Sequence, residues 1–500
     1  MRGIPASAAF LIPALAILAG CAVGPDYTRP DPGIEVPASW AAPDSHPGAS
    51  PLSAALGEQG DGRWWKDFQD SVLDSLVLRA LRHNNDLAAA AARVLEARAL
   101  AAGAAADRWP SLEIGGSASR SKSANLNFPG FISPYLSSFS ANATMRYEAD
   151  LWGRVARDKE AAVASLLAGE NDRRALARSI VAEVVRARLE ILELEGQLAL
   201  TRATIENYDL NLQVVQDRYR QGLVPALDVD LATQNLAAAR ASESPLRQQL
   251  GAARRRLEIL CGSYPGGREP VPAESSPAAA ADNLPAVPGG LPAELLQRRP
   301  DLQAAELRLH SAVARIGQAK AALYPRISLT ANTGFSSREL ADLGKAGTDV
   351  WSLVGNLVMP LINRGATQAQ IKAAEARAAQ AAATYRKTVL EAFAEVENAL
   401  DRDYYLARQQ EALIRSTTAA TAASRQAQDR YRRGLDNILV MLESQRRAYS
   451  AESQLLTVRR QRQSARVDLI LALGGPWNLS DPDNRSGHSP QQQVHQGVSP

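Results

Sequence analysis

Residues 138–150 read SFSANATMRYEAD, and every second side chain changes character. Phe139, Ala141, Ala143, Met145 and Tyr147 fall on one face, with Ser138, Ser140, Asn142, Thr144, Arg146 and Glu148 on the other. A period of two is the geometry of a β-strand, whose successive side chains project to opposite sides. Three other stretches behave alike. Leu112, Ile114 and Ala118 alternate with Ser111, Glu113, Ser117 and Ser119, and Ile327, Leu329, Ala331 and Phe335 alternate with Arg326, Ser328, Asn332 and Ser336. Val350 to Leu361 is less regular but keeps Trp351, Leu353, Leu357 and Met359 together. Each stretch has about 10 to 13 residues, long enough for a tilted strand to cross a bilayer. A half-buried sheet in a soluble domain would alternate in the same way, so the rest of the chain has to decide.

The strands belong to a duplication. NDLAAAAARVLEARALAAGAAADRWPSLEI from Asn85 matches PDLQAAELRLHSAVARIGQAKAALYPRISL from Pro300, and DRYRQGL from Asp217 matches DRYRRGL from Asp429. Each half reads helix, two strands, long helix, turn, helix. No proline interrupts the chain between Pro134 and Pro225 or between Pro360 and Pro476. In the first of these intervals Ile180, Val184, Ala187, Ile191, Leu194, Leu198, Thr201, Ile205, Tyr208, Leu212, Val215 and Tyr219 keep a strict 4,3 spacing, the seam of a coiled coil. As one helix, Gly153 to Gln221 would span roughly 100 Å. Two shorter helices, about Leu81 to Asp107 and Ala226 to Cys261, nearly equal it end to end, which predicts one long helix packed against two stacked short ones.

The predicted organisation is a signal peptide over 1–20 and a lipidated Pro-rich strap over 21–63, then a first repeat over 64–262. That repeat has a hairpin at 111–151, a long helix at 153–221 and a helix at 226–261. A linker over 263–292 leads to a second repeat over 293–475, with a hairpin at 325–361, a long helix at 366–433 and a helix at 438–473; a polar tail over 476–500 follows. The apolar run Ile4 to Ala19 ends in Leu18-Ala19-Gly20-Cys21, a lipobox, so Cys21 is the expected lipid anchor and the covalent lipid the only expected prosthetic group. Ala22 in place of an acidic residue favours the outer membrane. Cys261 is then left with no partner within the chain.

Composition excludes several classes. With 500 residues, 22% charged, 46% hydrophobic, a mean hydropathy of -0.21 and a formal charge of +3, the chain is not a polytopic helical membrane protein. Acidic and basic residues are interspersed, leaving no basic stripe for nucleic acid. His46, His83, His310, His488 and His495 are scattered, and no nucleophile, metal or phosphate motif occurs, so neither an enzyme nor a metal site is expected.

Four strands that cross a bilayer cannot close into a barrel alone, and an open edge is not tolerated in hydrocarbon. Several copies must share one barrel; three would give 12 strands and a wet lumen. The competing reading is a pore-less periplasmic coiled-coil lipoprotein, an adaptor or scaffold of an export system. LAGCAVGPDYTRP from Leu18, RWWKDFQDSVLDSLVLRAL from Arg63, YEADLWGR from Tyr147, LPAELLQRRPDLQAAE from Leu291, YPRISL from Tyr324 and the two RYRxGL turns resemble the TolC-like outer-membrane factor family. Within it they are most similar to the NodT-type efflux lipoproteins of resistance-nodulation-division systems. The resemblance implies an α+β membrane protein, a homotrimer with a 12-strand outer-membrane β-barrel, four strands per chain, continuous with a long periplasmic α-helical coiled-coil barrel. It implies a passive exit duct that conducts small molecules out of the cell. Its partners would be outer-membrane lipid, a periplasmic adaptor of the membrane fusion protein class and an inner-membrane resistance-nodulation-division pump.

Two groups of residues would carry this work. Arg218, Tyr219, Gly222 and Leu223, with Arg430, Tyr431, Gly434 and Leu435, match the family's adaptor-contacting turns. Asp429, Asp436, Glu443, Asp228 and Asp230, with Asp217, lie near these turns, where three-fold assembly would turn an inward-facing carboxylate into a ring at the aperture. The family's acidic rings coincide with Glu443, while Val440 stands at another position that some members fill with an acid.

Overall fold

The structure is a computed structural model that describes residues 22–29, 33, 40, 63–122, 135–267, 292–362 and 364–475. The expected signal peptide, Cys21, the tail over 476–500 and most of the strap and of the 263–292 linker lie outside the described residues. In chain order the elements are α1 (Ser71–His83), α2 (Asn85–Ala106), β1 (Ser111–Lys122), β2 (Tyr135–Ala149), α3 (Arg154–Arg220), α4 (Ala226–Leu260), α5 (Pro292–Arg298), α6 (Pro300–Ala321), β3 (Arg326–Ser337), β4 (Asp349–Val358), α7 (Arg364–Arg432) and α8 (Ile438–Ala472). They divide between two compact units.

The first unit, Met1–Ile34, Ala90–Arg173 and Asp301–Thr388, holds one sheet in the order β1-β2-β3-β4, antiparallel throughout. Its central pair joins strands from different repeats, with Ala143 opposite Thr333 and Met145 opposite Ala331. Register brings the four separate alternations into line. Leu112 and Ile114 face Met145 and Ala143, while Leu353 and Trp351 face Ala331 and Thr333, so one side of the sheet is predominantly apolar, with Thr333 the polar group within it. The other side carries Glu113, Ser117, Ser140, Asn142, Arg146, Asn332 and Ser352. Polar contacts cross it, Ser117 to Ser140 at 2.8 Å and an Arg146–Glu113 ion pair. A slip of one residue would exchange the two faces, so the pattern fixes the register. Among the described strands β1 pairs only with β2 and β4 only with β3, which leaves one unpaired edge on each.

The described start of the chain docks on this unit. Val23 N–H donates to Trp152 O at 3.1 Å, Tyr27 stacks on His310 with centroids 4.3 Å apart, and Asp26 pairs with Arg157.

The second unit, Glu35–Ala89, Arg174–Pro300 and Val389–Pro500, is helical. The seam of α3 is buried from Ile180 to Thr201 and again at Tyr208 and Val215, with Ile205 and Leu212 partly buried; Val184, Ile191 and Val215 are fully enclosed, and Tyr219 beyond them is half exposed. Where periodicity predicts one helix over 81–107, the chain breaks at Asn84 into α1 and α2. The Asn84 side chain accepts from the Asp86 and Leu87 N–H groups as a helix N-cap and donates to Leu260 O at 3.0 Å, so the break is also where α4 ends. The second repeat repeats the device, Arg299 donating to Ala472 O at 3.3 Å at the end of α8. α4 continues through Pro245, which releases the Ala241 carbonyl from the helix ladder.

One buried ion pair ties α1 to α3. Asp70 accepts from Val72 N–H as the N-cap of α1 and from Arg188 Nε at 2.6 Å, with side-chain exposures of 5% and 1%. Asp70→Ala removes the cap and strands a buried guanidinium charge, so it should cost about 3–5 kcal/mol. Chemical denaturation followed by circular dichroism measures this; a loss below about 1 kcal/mol would mean that solvent reaches Arg188.

Candidate functional site

Two interhelical turns, at 218–225 and 430–437, are built by the same local chemistry. In the first, Gly222 N–H donates to Tyr219 O and Leu223 N–H to Arg218 O, both at 2.9 Å; in the second, Gly434 donates to Tyr431 O and Leu435 to Arg430 O, also at 2.9 Å. This paired 5→2 and 6→1 bonding requires a left-handed residue just past the helix, and the two glycines supply it with φ of 73° and 74°. Leu223 and Leu435 are thereby thrust outward and are each 61% exposed.

The turns pack on one another. Arg218 Nη1 donates to Tyr431 O at 2.6 Å, and its guanidinium lies 4.9 Å from the Tyr431 ring centre. Tyr431 is buried beside Val215, Ala232, Ile438, Met441 and Leu442, and burial raises its hydroxyl pKa. The two repeats therefore use equivalent residues differently: Tyr219 is a surface group, Tyr431 a core group. Arg430 also departs from Arg218. It holds Asp436 at 2.6 Å and 3.2 Å, whereas the first repeat has Val224 at that position, freeing Arg218 to cross to the other turn. This cross-turn bond is invisible in the sequence, although the Asp436-to-Val224 difference between the repeats signals it.

The carboxylates fall into two sets. Arg430 holds Asp436 below the usual carboxylate range. Hydrogen bonds from Arg446 and then Arg447, at 2.7–2.9 Å, lower Glu443 to about 2. Asp217 pairs with Arg220 at 3.2 Å. Asp228, Asp230 and Asp429 make no ion pair with another described residue. Asp228 lies close enough to Tyr431 to disfavour its ionisation. A depressed carboxylate contributes stability above its unfolded value, here 4.5, and loses it as the pH falls through the folded value. The Glu443 cluster should therefore stay intact from pH 7 down past 4.5 and open only toward pH 2; a carbon-13 titration of the Glu443 carboxyl with its midpoint near 4.5 would contradict the pairing.

The arrangement offers outward apolar side chains on glycine-shaped turns and carboxylates of which three, Asp217, Asp436 and Glu443, are compensated locally and three, Asp228, Asp230 and Asp429, are not, among the described residues. It offers contacts for a protein partner. Among the described residues no group of three or more metal-ligating side chains forms a site, and no helix is long and apolar enough to cross a membrane.

The model of the outer membrane efflux protein family matches residues 76–263 and 291–475. The chain is 35% identical to outer membrane protein OprJ of Pseudomonas aeruginosa over 478 residues, 94% of this chain and 96% of that protein. It is 34% identical to the pyoverdine export outer membrane protein OpmQ of Pseudomonas putida over 463 residues, 91% and 95% of the two chains. Its fold matches the solved structure of the outer-membrane channel OprN with a TM-score of 0.79 and 31% identity, covering 91% of this chain and all of that one.

Proposed function

Because the chain belongs to the outer membrane efflux protein family, we propose that it is the trimeric exit duct of a tripartite efflux system, fed through a periplasmic adaptor by an inner-membrane resistance-nodulation-division pump. The chain is an outer-membrane channel protein. The observation that carries the trimer is the open sheet: four strands, one apolar face, one polar face and an unpaired edge on both β1 and β4. Hydrocarbon does not tolerate unpaired edges. Two copies would give eight strands and a lumen filled with side chains, three give 12 and room for water. The apolar face then meets lipid, and the face with Asn142, Asn332 and Ser352 lines the lumen.

The lipid anchor on Cys21 is supported from the opposite direction. Ala22 lies against Gly153, between β2 and α3, so the chain emerges where the strands give way to helix. An acyl group there would enter the leaflet beside the barrel. The two interhelical turns are the adaptor contacts in this reading, with Leu223, Leu435 and Tyr219 as the exposed groups and Arg218 and Tyr431 holding the turns in register. Asp228, Asp230 and Asp429 are the carboxylates left to charge the aperture, since Asp436 and Glu443 are compensated.

Full-length protein purified in detergent should run as a trimer and conduct ions across a planar bilayer. A stable monomer without conductance would remove the duct reading and favour the pore-less lipoprotein.

A further inference from the structure

Next to the strand ends of the first unit, the α2–β1 connection, α3 and α6 border a cavity of about 350 Å³. It is lined by the apolar Val163, Leu167 and Leu307 and by the cations Arg108 and Lys159. Arg108 lies between α2 and β1, and Lys159 on the second turn of α3. Neither makes an ion pair with another described residue. The carboxylate on this wall, Glu160, does not serve them: Arg157 and His310 each hold it at 2.8 Å. Burial alone would raise the Glu160 pKa, and these two hydrogen bonds outweigh it and leave the group below the ordinary range. His310 is in turn fixed by stacking on Tyr27. The cavity thus presents two cations unpaired among the described residues beside an apolar lining.

Its place in the fold narrows the ligand. Trp109, 77% exposed, precedes β1, and Trp152 stacks on Tyr324 at the boundary between strands and helices, its Nε1 donating to Pro325 O at 2.8 Å. Aromatic rings with one polar handle, gathered at the ends of membrane strands, mark headgroup depth. A free phosphate would leave the apolar lining uncovered, and a zwitterionic lipid would leave the cations without net compensation. We propose that this cavity binds an anionic phospholipid of the periplasm-facing leaflet, with its phosphate between Arg108 and Lys159 and the first carbons of an acyl chain over Val163, Leu167 and Leu307. This site rests on the outer-membrane channel reading above.

The test uses the full-length, delipidated protein in dodecyl maltoside, titrated with phosphatidylglycerol or phosphatidylcholine and followed by native mass spectrometry and thermal unfolding. Phosphatidylglycerol should be retained and raise the unfolding temperature, with phosphatidylcholine doing neither. Arg108→Ala and Lys159→Ala should each weaken retention by about fivefold. The charge-conserving pair Arg108→Lys with Lys159→Arg should restore it. Equal binding of the two lipids, or full retention by the alanine variants, would overturn the site. Displacement by inorganic phosphate at equal concentration would assign it to a soluble anion instead, and shielding of Lys159 from an amine reagent in lipid-free assembled protein would assign it to a neighbouring copy. Planar-bilayer conductance of the same samples separates the two levels: it should persist in the alanine variants, and its absence from the unaltered protein would overturn the channel reading itself.

Discussion

Leu353→Arg should nearly abolish the assembled protein in the outer membrane. Leu353 lies in the middle of β4 on the apolar side of the sheet, opposite Ala331 and 62% exposed within one chain. An arginine near the bilayer midplane of a β-barrel costs about 2–4 kcal/mol, a shift of about 30- to 1000-fold against insertion for every chain carrying it. The adjacent residue provides the control. Ser352 stands opposite Asn332 on the polar side, so Ser352→Arg adds the same charge to the same strand and should be tolerated. Outer-membrane fractions analysed for the heat-resistant oligomer distinguish them. Equal yields from the two variants would mean that the apolar face does not meet lipid.

Gly434→Pro should eliminate export while leaving assembly in the membrane intact. Gly434 has φ of 74°, whereas proline is locked near -65°, and proline has no N–H to give to Tyr431 O. The turn must therefore rebuild, carrying with it the exposed Leu435 and the Tyr431 carbonyl that Arg218 holds. Losing a shaped docking contact of this kind is worth about 2 kcal/mol or more, at least about 30-fold in adaptor affinity. The lesion lies in the second unit and the sheet in the first, so oligomer yield should not change. Gly434→Asn, which accepts the left-handed conformation, should retain most activity. Substrate accumulation in cells and cross-linking to the adaptor are the readouts, and normal export by the proline variant would refute docking through this turn.

Much of this architecture is legible along the chain because its signals are local. Alternation marks the strands, the 4,3 spacing marks the α3 seam, and the matching RYRxGL segments mark two turns whose glycines then prove left-handed. What the sequence hides depends on partners distant along it. Nothing in Met145 or Ala331 alone says that β2 and β3 pair across the repeats. The break at Asn84 escapes periodicity because apolar residues continue on both sides, and although its cap bonds to Asp86 and Leu87 are local, its further bond to Leu260 O is not. The asymmetry of Tyr219 and Tyr431 likewise follows from Arg218 reaching across to the other turn. The carboxylates near the turns divide on the same line: Arg446 and Arg447, three and four residues on, place the Glu443 pairing within reach of helix periodicity, whereas the Arg430–Asp436 pair spans a turn and depends on its geometry.

The unpaired edges of β1 and β4 also have a genetic meaning. If closure needs three copies, a chain with one spoiled edge does not merely fail; it can occupy a place in a ring and block two sound neighbours. The yield of intact ducts then follows the cube of the sound fraction, about one in eight when sound and damaged chains are made equally. Edge lesions should behave as dominant negatives, whereas lesions confined to the Asp70–Arg188 pair, which remove the chain before it can join, should be recessive.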